Sequence, residues 1–373
     1  MERIARPCAL LILAFFVVAC QLPGSGGSGS SKSGTEGGTA SNRIPVAYVA
    51  DFNGTCLSAY VIGSDGLLSP LSPSTVATGS SPVVDAATPN GSFLYVANQT
   101  DDTISEYAIG ESGELTPLNP PTVASGSAPD GIAIAPSGAY LYVANGSGAS
   151  VSQFAIGSDG QLTPLSTPTV ATGTGPNGIA ITPNGAYLYV TNGNGGSVSQ
   201  FAIGPGGLLA PLSSPTVTLG LQIRGIAISP DGSFLYVTDG PQLSSTVSGF
   251  AIGSDGLLTP LSTPTFTAGS FSQGIAITPN GSYLYVADNG AASVSEYAIG
   301  SDGLLSPLKP ATVAAAANAY GIAIASNGSY LYVTNRGASD VSAYSIGSGG
   351  VLSPLSVPTF AAGSSPQGIA IAP

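Results

Sequence analysis

The chain has 373 residues, enough for one large domain or two ordinary ones. Charged residues are only 7% and His and Trp are absent, yet 43% hydrophobic residues beside 52 Gly and 30 Pro keep it among core-forming chains rather than disordered ones. A net charge of −12 with seven Lys and Arg argues against a nucleic-acid partner, because no basic stripe exists to replace phosphate counterions.

The N-terminal segment 1–19 is expected to be a targeting peptide rather than part of the fold. Arg3 and Arg6 precede the apolar run Ala9 to Ala19, which is well short of the roughly 20 residues a transmembrane helix needs. The run ends V-V-A-C, Val17 to Cys20, and resembles the bacterial lipoprotein box, in which the Cys is lipidated and becomes the first mature residue. That resemblance implies a partner membrane reached through Cys20 and a place in the bacterial cell envelope, periplasm or outer surface. If Cys20 is acylated, Cys56 has no disulfide partner, and it reads as a small filler. Residues 20–43 form a Gly/Ser-rich tether, QLPGSGGSGSSKSGTEGGTASNR after Cys20, of roughly 25 Å as a flexible coil.

From 44 to 373 one unit repeats. A Tyr-Val pair falls at Tyr48, Tyr95, Tyr142, Tyr189, Tyr236, Tyr285 and Tyr332, spaced 47 residues apart except for 49 before Tyr285. The unit Gly178 to Gly220 holds four strand signals in order. GIAIT is short and apolar, and PNG is a turn tolerant of positive φ. AYLYVTN is rich in Tyr and Val, SVSQFAIG alternates, and LLAPLSSPTV carries internal prolines that suit an edge strand. The prolines make the fourth strand the outer edge and GIAI the inner one. Four antiparallel strands repeated radially predict an all-β fold, a seven-bladed β-propeller of four-stranded blades.

The chain starts its repeats on a second strand, VAYVAD, and its last residues, SSPQGIAIAP, supply a first strand with no second. First strands are expected at 83–88, 131–136, 178–183, 225–230, 274–279, 321–326 and 368–373. The last closes the ring by completing the N-terminal blade. Closure removes the exposed blade face and edges that an open stack leaves.

The strings YVAD, YVAN, YVTN and YVTD, with G-I-A-I-x-P-x-G before them, resemble the YVTN-repeat, lactonase-like seven-bladed propellers over the whole of 44–373. The resemblance implies the fold. For activity it implies two options, since that family spans 6-phosphogluconolactonase-like enzymes and non-catalytic envelope proteins.

Comparison among the copies separates frame from candidate site. The Asn or Asp ending each Tyr-Val strand (Asp51, Asn98, Asn145, Asn192, Asp239, Asp288, Asn335) is uniform and reads as a turn cap accepting backbone N–H bonds. The S-D-G aspartates (Asp65, Asp159, Asp255, Asp302) read as hairpin chemistry, and no metal or other cofactor is expected. The residue before G-I-A-I instead varies: Val83, Asp130, Asn177, Arg224, Gln273, Tyr320 and Gln367. These should encircle one mouth of the channel, on the face that also carries Phe52, Asp101, Asp102, Arg336 and the long connection 239–246. A ligand-binding rim of Asp130, Asn177, Arg224, Gln273, Tyr320, Gln367 and Arg336 follows.

The catalytic candidates are Arg224, whose fork suits a developing oxyanion, Asp130 as its ion-pair partner or a general base, and Asp85, an acid where the inner strand otherwise has Ile. The plainer reading of Arg224 and Asp130, and the preferred one, is as solvated rim residues or a simple ion pair. The family's lactonases use a constellation that includes His, and none is present here. The expectation is therefore a lipid-anchored, non-catalytic binding or surface module, with an envelope protein or small molecule on the variable face. Hydrolysis of a lactone is the alternative.

Overall fold

The computed structural model describes residues 43–220, 222–239 and 245–373. The targeting peptide, Cys20, the tether up to residue 42 and most of the long connection 239–246 lie outside them. Seven four-stranded antiparallel sheets are arranged as blades. Blade 2 shows the pattern: Pro82–Ala87, Phe93–Asn98, Thr103–Ile109 and Leu115–Ala124, from the axis outwards. Blades 3 to 7 follow in chain order. In blade 1 the inner strand is the last one in sequence, Pro366–Ala372, paired antiparallel to Val46–Asp51. The ring is closed as the sequence predicts.

Each interface between neighbouring blades carries its own hydrophobic cluster, seven in all. At every interface the repeat tyrosine is fully buried and ties one blade to the next. Tyr95 donates its hydroxyl to the Gly160 carbonyl of blade 3 at 2.7 Å, Tyr142 to Gly207 at 2.7 Å, and so on round to Tyr332, which reaches Gly66 of blade 1 at 2.7 Å. The accepting glycine has a positive φ, +84° at Gly160; Gly113 lies against Val46, and in the other six of the seven cases the glycine lies against an aromatic ring, that of Phe93 for Gly160. A Cβ there would enter the ring, so the S-D-G glycine is required twice over. The aspartates of these turns accept from the backbone two residues on, as Asp159 does from the Gln161 N–H at 3.1 Å.

Two expectations about the strands change. Inner strands begin two residues earlier than the G-I-A-I string in blade 3 and most other blades, because Pro129 pairs with Asn145 across a bulge before Gly131. In blade 5 the inner strand shrinks to Ile226–Ile228. The uniform Asn/Asp does more than cap a turn. Asn145 is buried and donates Nδ2 to Ser150 Oγ and Ser152 Oγ on the third strand, at 3.1 and 3.0 Å, while its Oδ1 accepts from Gly126 N–H at 3.1 Å. It thus joins the third strand to the loop that enters the blade. In blade 1 Cys56 stands where Ser150 does in blade 3, buried, with Sγ 3.9 Å from Asp51 Oδ2.

Candidate functional site

In six of the seven blades the inner strands converge so closely at the axis that glycine follows the variable residue; blade 2 has Val84 there. A Cβ on Gly274 would lie 2.6 Å from the Tyr320 carbonyl oxygen of the next blade. The glycine of G-I-A-I therefore sets the channel width, and the residue before it takes the mouth. There, Val83, Asp130, Asn177, Arg224, Gln273, Tyr320 and Gln367 line one cavity of about 250 Å³, with the Ile side chains of G-I-A-I as its floor.

The rim residues differ in how free they are. Asn177 is committed to the frame: Oδ1 accepts from Gly178 N–H and Thr191 Oγ1, both at 2.6 Å, and Nδ2 donates to the Ile223 carbonyl at 3.1 Å. Gln273 Nε2 donates to the Phe271 carbonyl at 3.4 Å. Gln367 is buried yet faces the cavity. Arg224 has its backbone pinned, N–H to the Thr238 carbonyl at 3.0 Å and C=O accepting from Thr191 Oγ1 at 2.7 Å. Its side chain is exposed, and among the described residues no hydrogen bond or ion pair holds its guanidinium.

Asp130 is half-buried and accepts from Gln99 Nε2 at 3.4 Å. Burial raises its carboxyl above the ordinary carboxylate range, and the positive charges of Arg224 and Arg336 pull it part of the way back. Tyr320 is likewise raised by burial and by the Asp130 charge, against the pull of both arginines. These four groups share one electrostatic field. Arg336 stands just outside the ring of seven, with its guanidinium carbon 5.1 Å from the Tyr320 ring centre and 5.3 Å from that of Phe52. Its Nε also donates to Ser365 Oγ at 3.2 Å.

The other candidates lie elsewhere. Asp85 does not line the cavity. It is buried in the closing seam, where Oδ2 accepts from Ala370 N–H at 3.2 Å and Oδ1 has no partner. Burial pushes its carboxyl well above the usual range. Asp101 and Asp102 accept backbone N–H groups from Ser80 at 2.6 Å and Ala128 at 2.7 Å, which makes them loop clasps.

A second cavity of about 270 Å³ opens beside the first and shares Asp130, Asn177 and Arg224 with it. Its outer wall is Gln99, Ser147 and Asn194, with Gly146 and Gly193 along the floor. The sequence reading missed this trench. The signal was present one residue past the uniform Asn/Asp, where the copies read Phe52, Gln99, Gly146, Gly193, Gly240, Asn289 and Arg336.

The family described as Lactonase, 7-bladed beta-propeller matches residues 46–309. The chain belongs to that family. No curated protein matches the sequence. Among solved structures, a Bacteroides fragilis protein provisionally designated a 6-phosphogluconolactonase is 22% identical, with a TM-score of 0.76 over 89% of this chain and 99% of that one. The Pseudomonas aeruginosa periplasmic gluconolactonase is 19% identical, with a TM-score of 0.74 over 88% and 99%. Kuenenia stuttgartiensis hydrazine synthase shares the propeller at 18% identity and a TM-score of 0.64, over 80% and 91%. Likeness at these identities shows the fold alone. Membership of the lactonase family overturns the expectation of a non-catalytic module drawn from the missing histidine, and it favours the alternative. Histidine is one way to hold a base near neutral pH, and a half-buried carboxylate is another.

Proposed function

We propose that this lactonase-family propeller hydrolyses a cyclic ester at the variable mouth. The observation that carries the reading is that Asp130 and Arg224 line one cavity, the carboxyl raised by burial and the guanidinium unheld. A carboxylate shifted upwards is a better base than an ordinary one, and a fixed-charge fork suits the oxygen that gains charge. Asp130 takes a proton from water as the water oxygen bonds to the lactone carbonyl carbon. Arg224 stabilises the resulting oxyanion. The C–O bond of the ring then breaks, the ring oxygen receives the proton from Asp130, and a hydroxy acid leaves.

Turnover of a panel of γ- and δ-lactones above the uncatalysed rate tests this, with Asp130→Asn and Arg224→Ala as controls. Each variant should lose about 100-fold in kcat/KM, the scale of one general base or one oxyanion donor. The active form needs Asp130 deprotonated, so kcat/KM should rise with pH through its folded-state pKa, and Asp130→Asn should flatten that limb. Folded protein without turnover on any lactone would sink the reading.

Export and lipid attachment at Cys20 belong to the same proposal, supported by the V-V-A-C string and by the location named for the P. aeruginosa relative. Retention of Cys20→Ala protein in the membrane fraction, at the level of the parent chain, would count against it.

A further inference from the structure

The trench beside the mouth is too small to be a ligand site alone, and so is the mouth. Small-molecule sites run from about 300 to 1,000 Å³, and the two cavities hold about 250 and 270 Å³. Joined through Asp130, Asn177 and Arg224, they reach that range as one bilobed site. The reacting carbonyl belongs in the lobe where Asp130 and Arg224 meet, so whatever fills the trench is a substituent on the lactone.

The trench walls specify its chemistry. Away from the shared residues the side chains are the Gln99 amide, the Ser147 hydroxyl and the Asn194 amide, among the backbone of Gly146, Gly175 and Gly193. Among the described residues no Lys, Arg, Asp or Glu is added at the far end. A phosphoryl group would find no second cation there, and the chain's −12 charge opposes its approach. Among the described residues an acyl chain would find only Ala128 and Pro176 for apolar contact, apart from the shared wall. Amides, a hydroxyl and backbone groups match a ligand that donates and accepts at every edge without charge.

We propose that the trench is a subsite for an uncharged glycosyl unit carried by the lactone, so that the preferred substrate is a glycosylated aldonolactone rather than a single ring. The proposal rests on the lactonase reading of the mouth and deepens it. The glycines at 146 and 193 are what keep the subsite open. At the same repeat position blade 2 holds Gln99, blade 7 holds Arg336 and blade 1 holds Phe52, each with a long side chain in place of hydrogen. Gly146 has an ordinary φ, and a Cβ on it would meet nothing nearer than the Ala128 carbonyl oxygen at 3.2 Å. Gly146→Gln therefore fills the trench with a side chain that the repeat already tolerates one blade away.

The test compares 4-O-glucosyl-glucono-δ-lactone with glucono-δ-lactone on the full chain and on Gly146→Gln. The expected result is at least a tenfold higher kcat/KM for the glycosylated ring, mainly through KM, and loss of that preference in Gly146→Gln, where kcat/KM for the glycosylated ring falls at least tenfold further than for the single ring. Equal kcat/KM for the two lactones, or equal losses on both in Gly146→Gln, would overturn the proposal. Calorimetry with the unreactive acid, 4-O-glucosyl-gluconate, separates this failure from failure of the lactonase reading. If neither lactone turns over, binding of that acid that Gly146→Gln abolishes keeps the trench as a glycosyl subsite, and no binding removes it.

Discussion

On the turn side of the ring, seven tyrosine hydroxyls meet seven glycine carbonyls at 2.6–2.7 Å, each bond crossing from one blade to the next. On the opposite side, seven residues at one repeat position include an acid, a base, a phenol, three amides and a valine. Both sets belong to the same seven repeats, the tyrosines on second strands and the mouth residues at the start of the inner ones. The difference teaches where repetition is enforced. A blade interface is made once per repeat from two copies, so a change in one tyrosine or glycine leaves its partner group buried and unpaired. A mouth residue meets mainly the axis, so the copies are free to diverge and to combine as a set.

Breaking the frame side should have the largest effect. Gly160→Ala forces a Cβ into the Phe93 ring at a φ of +84°. It should cost about 3 kcal/mol, the sum expected of an overpacked contact and a left-handed alanine, read by denaturant unfolding. A loss below about 1 kcal/mol would show that the interface yields.

A second variant probes a position where the frame itself is uneven. In blades 3 and 4 the third strand carries Gln153 and Gln200. Each amide oxygen accepts from the next blade (Leu209 N–H at 2.7 Å, Leu258 N–H at 2.9 Å), and each Nε2 donates to its own fourth strand (Thr167 and Ser214 carbonyls, 2.7 Å). Blades 2 and 6 have Glu106 and Glu296 there, each with one carboxylate oxygen bonded to the next blade and the other buried without a partner. Burial raises Glu106 to about 7 and Glu296 to about 6. A folded-state pKa above the unfolded value means that the native state binds the proton more tightly. Stability is then full below about 4.5, falls as pH rises towards 7, and stays low above it. Glu106→Gln should therefore stabilise the protein by about 2 kcal/mol at pH 8 and by little at pH 4, and it should reduce the pH slope between. Equal midpoints for parent and variant at pH 8 would refute this.

The smallest effect belongs to the mouth wall opposite the trench. Arg336→Leu removes a cation stacked between Phe52 and Tyr320, worth about 1 kcal/mol or less at such a site, and it removes one of the two charges that lower Asp130. Stability should change little. The pH midpoint of lactone turnover should move upwards, and an unmoved or lowered midpoint would break the link between Arg336 and Asp130.

The repeat made most of the fold legible. The Tyr-Val pairs gave blade number and strand order, and the split between the two chain ends gave the closure. The inner strands were misplaced by two residues because a bulge at Gly131 is backbone geometry, and glycine carries no side-chain pattern to betray it. The uniform Asn145 looked like turn chemistry because its hydroxyl partners, Ser150 and Ser152, are revealed only by the strand register. At the site, the mouth set was readable because variation among copies is visible in one sequence. The trench was hidden because it is made by absent side chains, and Gly146 and Gly193 look like any loop glycine. The missing histidine was weighed too heavily, since the burial that raises Asp130 is a property of packing.

The strand that completes blade 1, Pro366–Ala372, is synthesised after everything it closes. At translation speeds of roughly 5–20 residues per second, Val46–Asp51 waits for tens of seconds with its inner edge unpaired. Six blades can stack meanwhile, but the channel has no wall on one side and the mouth no complete circumference. Gln367, which lines the cavity, arrives with the closing strand. The mouth therefore has no complete circumference until Pro366–Ala372 has been made and has docked on Val46–Asp51.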